Sequence, residues 1–334
     1  MLTLSRSALL CGALLGSTAA VAATPVYGPE LQGFTYPYPL QQFSFQSQQQ
    51  TLHMGFMDVQ PQSKANGHTV VLMHGKNFCG ATWQATIAAL SSNGYRVIAP
   101  DQIGFCSSSK PASYQYSFQQ LADNTHALLK SLHVDKAIVI GHSTGGMLAT
   151  RYSLSYPQEV EKMVLVNPIG LEDWKAKGVP WRSVDQWYQR ELKTSAAGIK
   201  QYEQKTYYSG RWDKSYDKWV DMLAGLNNGP GKTRVAWNSA LIYDMIFTQP
   251  VYYEFKDLKV PTTLMIGTDD TTAIGSDIAP AAVKSQLGNY KQLGKTVAGL
   301  IPGAQLIEFP GLGHAPQMEK PDMFHQRLLG VLQK

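Results

Sequence analysis

The sequence predicts an α/β fold: a mostly parallel sheet with helices on both faces, interrupted late in the chain by a helical insertion. Short, almost wholly apolar runs bounded by turn residues alternate with helical stretches, the rhythm of strands buried on both faces. That rhythm stops after Asn167-Pro168 and resumes at Pro261, so a segment that adds no strand is spliced between two strands. At 334 residues and 44% hydrophobic content, the chain has material for one large core with an insertion.

Residues 1–23 run from Arg6 through the apolar stretch Ala8 to Leu15 to Ala20-Val21-Ala22, the three parts of a secretory signal, with cleavage expected near Ala22/Ala23. The apolar stretch is far shorter than the roughly 20 residues that span a bilayer. Ala8-Leu9-Leu10, ahead of Cys11, lacks the small residues that suit lipid attachment. A periplasmic or secreted protein is expected, with no stable membrane insertion after cleavage.

Residues 24–40 hold four prolines and little periodicity, an extended lead-in. Phe43 to Gln48 and Thr51 to Gln60 alternate as two antiparallel strands, and Pro61 to Gly67 is a turn. Thr69 to Met73 is a buried strand, followed by a loop and the helical pattern Thr82 to Asn93. Tyr95 to Ala99 is the next strand, then a loop, then a helix opened by Ser117 and running to about Leu132. Lys136 to Ile140 and Lys162 to Val166 are buried strands on either side of a helix from Thr144 to Tyr156 that Pro157 stops. Leu171 to Lys256 has helical stretches and six of the seven tryptophans. Strands return at Thr262 to Ile266 and Gln305 to Phe309, and the helix Pro321 to Leu332 closes the chain. The resulting division is a first part of the core at 24–170, a helical cap at 171–257 and a second part of the core at 258–334.

Lys and Arg number 29 against 24 Asp and Glu, a small excess spread along the chain without a basic block. Nucleic acid and anionic membranes are therefore not expected partners. Repeats, low-complexity arms and heptads are absent, which leaves a scaffold role without a positive feature.

The chemistry is concentrated at strand ends. Val139 to Gly146 reads V-I-G-H-S-T-G-G and places Ser143 in Gly141-x-Ser143-x-Gly145 between a strand and a helix. A sharp turn there strains the serine backbone, and its glycine neighbours let strand and helix approach closely. A serine hydroxyl is a weak nucleophile, so it needs a base within reach and a third group to orient that base. Ile266-Gly267-Thr268-Asp269-Asp270 leaves one strand with two carboxylates, and Phe309 to Pro316 leaves the next with His314. Of eight histidines, His314 alone has this placement, and His126, His133 and His325 read as surface or core residues. The order Ser143, Asp270, His314 is Ser, acid, His. For the oxyanion, Thr144 supplies one backbone N–H, and the loop His74 to Phe78 supplies another from Lys76, with Asn77 as the alternative. A backbone role predicts that Lys76→Ala is mild.

Together Leu72-Met73-His74-Gly75, Pro100 to Phe105, Gly141 to Gly146, Pro261 to Asp270 and Gly313-His314-Ala315-Pro316 resemble the capped α/β-hydrolases, from about residue 40 to the C-terminus. The resemblance implies an eight-stranded, mostly parallel sheet with the cap inserted after the sixth strand, and it aligns Asp270, rather than Asp269, with the family acid. Epoxide hydrolases and dehalogenases of the family place aspartate where Ser143 stands, which argues against both. Cys106 replaces a usual glycine, and Cys79 lies in the oxyanion loop. In the resembled fold their loops leave neighbouring strands, so a Cys79–Cys106 disulfide is expected.

Acyl transfer to water is the expected reaction. Sixteen of the 35 aromatic residues lie within Leu171 to Lys256, either lining an apolar pocket or simply packing the cap. Phe78, Trp174, Trp187 and Tyr188 are the candidate pocket residues. The preferred substrate is a small-molecule ester of a small-to-medium hydrophobic acid. Amides, activated C–C bonds and perhydrolysis use the same triad, and Glu172 and Asp173 keep amine-bearing amides open. A ligand-binding protein that keeps the hydrolase shell is the non-enzyme reading. No cofactor is called for, and no histidine or cysteine pair has metal-ligand spacing.

Overall fold

The computed structural model describes residues 24–333, so the predicted signal segment lies outside the described residues. Strands and helices follow in the order β1 (Leu40–Ser47), β2 (Gln50–Val59), β3 (Thr69–Met73), α1 (Gln84–Ser92), β4 (Arg96–Pro100), α2 (Phe118–Ser131), β5 (Ala137–His142), α3 (Thr144–Ser155) and β6 (Val160–Val166). Then come α4 (Val184–Glu191), α5 (Ala196–Thr206), α6 (Asp217–Asn228) and α7 (Lys232–Thr248). The chain closes with β7 (Thr262–Gly267), α8 (Ala281–Lys284), α9 (Tyr290–Leu300), β8 (Gln305–Phe309), α10 (Pro316–Glu319) and α11 (Pro321–Leu332).

One eight-stranded sheet results, in the order β1-β2-β4-β3-β5-β6-β7-β8. β2 runs antiparallel to both β1 and β4, and every other pairing is parallel. The two-residue period of β3 shows why both faces need cover. Val71 and Met73 join a core with Leu121 of α2, Met147 of α3 and Val297 of α9. Val70 and Leu72 join a second core with Ile87 of α1 and Phe324 and Leu328 of α11.

The helix expected from Thr82 starts instead as a 3-10 turn, Gly80–Trp83, in which Thr82 N–H and Oγ both donate to Cys79 O. Ser117 caps α2, its side chain accepting from Gln120 N–H. Four helices, α4 to α7, occupy the segment between β6 and β7. The end of α5 lies against the loop after β8, where His314 N–H donates to Thr206 O and Ala315 N–H to Tyr207 O. The insertion thereby reaches the carboxyl ends of the strands, where an open α/β sheet places its ligands. Among the described residues no helix is long and apolar enough to cross a membrane.

Candidate active site

The turn from β5 into α3 holds Ser143 at φ +57° and ψ −122°, the strained geometry its glycine-flanked sequence implies. The glycines are there for space. A Cβ on Gly141 would strike the backbone of Gly145 and lie 2.8 Å from Ala149 Cβ, and one on Gly145 would strike Met73 O at the end of β3. A Cβ on Gly75 would fall 2.8 Å from Ser143 Cβ, so the loop after β3 rests directly on the serine.

His314 and Asp270 meet from adjacent strand ends. His314 Nδ1 donates to Asp270 Oδ2 at 2.6 Å, and both side chains are almost fully buried. Asp270 receives three further hydrogen bonds: from Asn167 Nδ2 to Oδ2 at 2.9 Å, and from Thr272 N–H and Oγ to Oδ1 at 2.8 and 2.7 Å. Four donors on one carboxylate hold it aimed. Asp269 is exposed and, among the described residues, accepts only from Thr268 Oγ1. With Nδ1 engaged, Nε2 is the free nitrogen of His314. Among the described residues no hydrogen bond joins Ser143 Oγ to His314, as is common before substrate aligns the pair.

Two orienting residues lie outside the predicted set. His142 Nε2 donates to His314 O at 2.8 Å, its ring 4.9 Å from that of His314, and burial pushes its pKa well below the usual imidazole range. His142 is therefore a neutral prop beneath His314. Asn167, at φ +36° just beyond β6, also donates to Gly267 O and accepts from Gly267 N–H, locking the strand end that carries Asp270. A polar Asn167 directly before Pro168, at the end of an apolar strand, was the available signal.

Thr144 N–H is the first amide of α3, an orphan donor of a helix start. Lys76 N–H and Asn77 N–H have no partner among the described residues. The Lys76 side chain, by contrast, is committed. Its ammonium is 3.3 Å from Glu191 Oε2 on α4 and 3.8 Å above the ring of Tyr243 on α7, and Ser239 Oγ also donates to Glu191. Lys76 thus ties the loop against Ser143 to two helices of the insertion, so a mild Lys76→Ala is not what the structure supports. Asn77 Nδ2 adds a bond to Tyr207 OH at 2.9 Å.

Cys79 and Cys106 are joined by a disulfide, with Cα atoms 5.9 Å apart. The bond links the loops after β3 and β4. Asp101 reinforces the link, accepting from Gly80 N–H at 2.6 Å and Ser107 N–H at 3.0 Å. The two sulfurs and Asp101 lie close enough to suggest a metal, but sulfurs in a disulfide offer no thiolate ligand.

A cavity of about 360 Å³ opens beside Lys76 and Asn77, between that loop and α4 to α7. None of the four candidate pocket residues lines it. Trp187 is buried, stacked on Tyr243 at 4.2 Å, and Tyr188 packs edge-on to Trp237 at 5.7 Å. Trp174 is buried in the main core. Phe78 stacks on Tyr207 at 5.1 Å and faces the His142 ring at 4.7 Å, close to the serine but outside the cavity. The large rings pack the helices to one another, because a small insertion has few other apolar groups from which to build a core. The wall is instead mixed: Ile199, Leu223 and Ile242 alternate with Lys76, Glu191 and Glu203.

Comparison with known proteins places the fold. The family model described as alpha/beta hydrolase fold matches residues 68–321. A solved structure from Pseudomonas aeruginosa PAO1, described as a "probable hydrolytic enzyme", is 64% identical, covering 93% of this chain and 99% of that one, with a TM-score of 0.92. The "Putative non-heme chloroperoxidase" of Synechocystis sp. is 27% identical across 83% of this chain and 95% of its own length. The "Putative carbamate hydrolase RutD" of Serratia proteamaculans is 26% identical across 80% of this chain and 91% of its own.

Proposed function

The chain belongs to the α/β-hydrolase fold family, and from that premise we propose that it is an exported serine hydrolase cleaving carboxylic esters of small-to-medium hydrophobic acids. The observation that carries the proposal is the buried His314–Asp270 pair, set at strand ends beside the strained turn of Ser143. Ser143 Oγ attacks the ester carbonyl as its proton passes to His314 Nε2, and Asp270 stabilises the imidazolium through Nδ1–H. The oxyanion is met by the N–H groups of Thr144 and Lys76. His314 then returns the proton to the departing alkoxide, and water, activated by the same nitrogen, releases the acid from Ser143.

The cavity of about 360 Å³ borders the oxyanion loop at Lys76 and Asn77 rather than Ser143 or His314 themselves, and its volume supports the size class, since ligand pockets run from roughly 300 to 1,000 Å³. Export is supported by the pattern of residues 1–23 and by the disulfide, a bond that persists in oxidising compartments. Amide, activated C–C and perhydrolytic chemistry form the second reading, favoured by relatives named as a chloroperoxidase and a carbamate hydrolase.

Hydrolysis of p-nitrophenyl esters of increasing acyl length, with Ser143→Ala alongside, tests the proposal. Short and medium chains are expected to be cleaved, with Ser143→Ala inactive and its fold unchanged by circular dichroism. Turnover that survives Ser143→Ala, or no turnover at any length, would overturn it.

A further inference from the structure

Helix α5 reads AAGIKQYEQKT, a polar surface helix by composition, yet Glu203 within it is only 2% exposed. Among the described residues its carboxyl makes no side-chain hydrogen bond, and Oε2 is shut from solvent without a partner. Tyr208 OH, close by in the chain, is likewise unpartnered. Burial alone raises the Glu203 pKa to about 8. A buried polar group left unpaired costs stability, and folded proteins keep few of them. Glu203 lines the cavity, and its own helix ends at Thr206, whose carbonyl accepts from His314 N–H.

No cation of the cavity wall serves this carboxyl. Lys76 lies 3.3 Å from Glu191, Arg190 lies 3.6 Å from the same carboxylate, and Lys193 is exposed. With those three cations against one paired carboxylate, the wall is already net positive. An ammonium guest would meet repulsion there, and a carboxylate guest could accept only from the acid form of Glu203 and would be repelled by its carboxylate form. An uncharged hydroxyl fits both conditions, because it accepts from the acid form of Glu203 and donates to the carboxylate form.

We propose that Glu203 is the specificity residue of this cavity and takes a hydroxyl carried by the acyl group of the substrate, a proposal that rests on the hydrolase reading above. The hydrophobic wall of Ile199, Leu223 and Ile242 then holds the hydrocarbon of the acyl chain, and Glu203 reads a polar group along it.

The test compares p-nitrophenyl hexanoate and octanoate with esters that carry one hydroxyl at successive carbons of the same chains. The wild type should favour one hydroxy ester over its plain partner by roughly tenfold in kcat/KM, the order of one hydrogen bond. That ratio should collapse toward one in Glu203→Leu and largely persist in Glu203→Gln, whose amide still donates and accepts. Absence of a preferred position, a preference for amino or carboxy analogues, or an equal loss on both esters in Glu203→Leu would overturn it. If no ester is cleaved, calorimetry of hydroxy and plain hexanoic and octanoic acids against the Ser143→Ala protein decides. A tenfold tighter hydroxy acid, lost with Glu203→Leu, supports the site even as the hydrolase reading fails, and equal affinities overturn the site as well.

Discussion

Replacing Glu203 by Gln removes one proton-binding group and leaves side-chain volume almost unchanged, so its effect on stability is set by linkage. Burial raises the carboxyl from 4.5 to about 8 in the folded chain. The folded state therefore holds a proton that the unfolded chain has already released. The contribution is fully present below 4.5, is lost as pH rises, and is gone above about 8. At about 1.4 kcal/mol for each tenfold step in acidity, the whole span is roughly 5 kcal/mol, of which roughly 3 kcal/mol falls between pH 5 and pH 8. Urea denaturation of both proteins at pH 5, 6.5 and 8, with the disulfide intact, reads this directly. The stability of Glu203→Gln relative to wild type should climb by roughly 3 kcal/mol across that range. Taking the difference cancels other groups, notably His325, whose pKa burial lowers to about 4 and whose contribution runs the opposite way, lost as pH falls from 6.5 toward 4. A difference that stays flat with pH would mean that Glu203 is solvated or paired in solution, and would refute the argument from burial.

Asp270→Asn should lower kcat by about four orders of magnitude, because the amide favours the wrong imidazole tautomer, whereas exposed Asp269→Asn should leave it within about twofold; steady-state kinetics ranks the two. Lys76→Ala should cost about 3 kcal/mol in chemical denaturation, because Glu191 keeps only the looser Arg190 and the Ser239 hydroxyl, and a cost below about 1 kcal/mol would mean that the pair is solvated. Thiol titration of denatured, unreduced mature protein should find no free thiol. Cys79→Ser with Cys106→Ser should lower stability by roughly 3.5 kcal/mol, the loop-closure value for a separation of 27 residues.

Most of what surrounds Ser143 was legible before any coordinates. Gly141 is required by the approach of the Gly145 backbone within the same turn, so the Gly141-x-Ser143-x-Gly145 spacing states that turn directly. Strand ends agree to within a few residues, because Gly, Pro and Asn bracket short runs that are apolar and buried on both faces in the inner strands β3, β5 and β7. Ser183 and Ser195 cap α4 and α5, yet neither helix stood out individually in the sequence, where the insertion read only as aromatic and helical.

The sequence by itself determined the fold class, the strand-to-helix turn at Ser143, the order of serine, acid and histidine, and the place where the insertion leaves the sheet. Each rests on local periodicity or on one turn's backbone geometry. Only the tertiary structure decided which of Asp269 and Asp270 meets His314, because one peptide unit turns the first to solvent and the second toward a histidine that is 44 residues on. Only it placed His142 and Asn167 as props, joined Lys76 to Glu191, turned Trp174 and Trp187 into packing, and left Glu203 unpaired at the cavity. These depend on contacts between segments far apart in the chain, whose partners are chosen by packing and charge rather than by any local pattern.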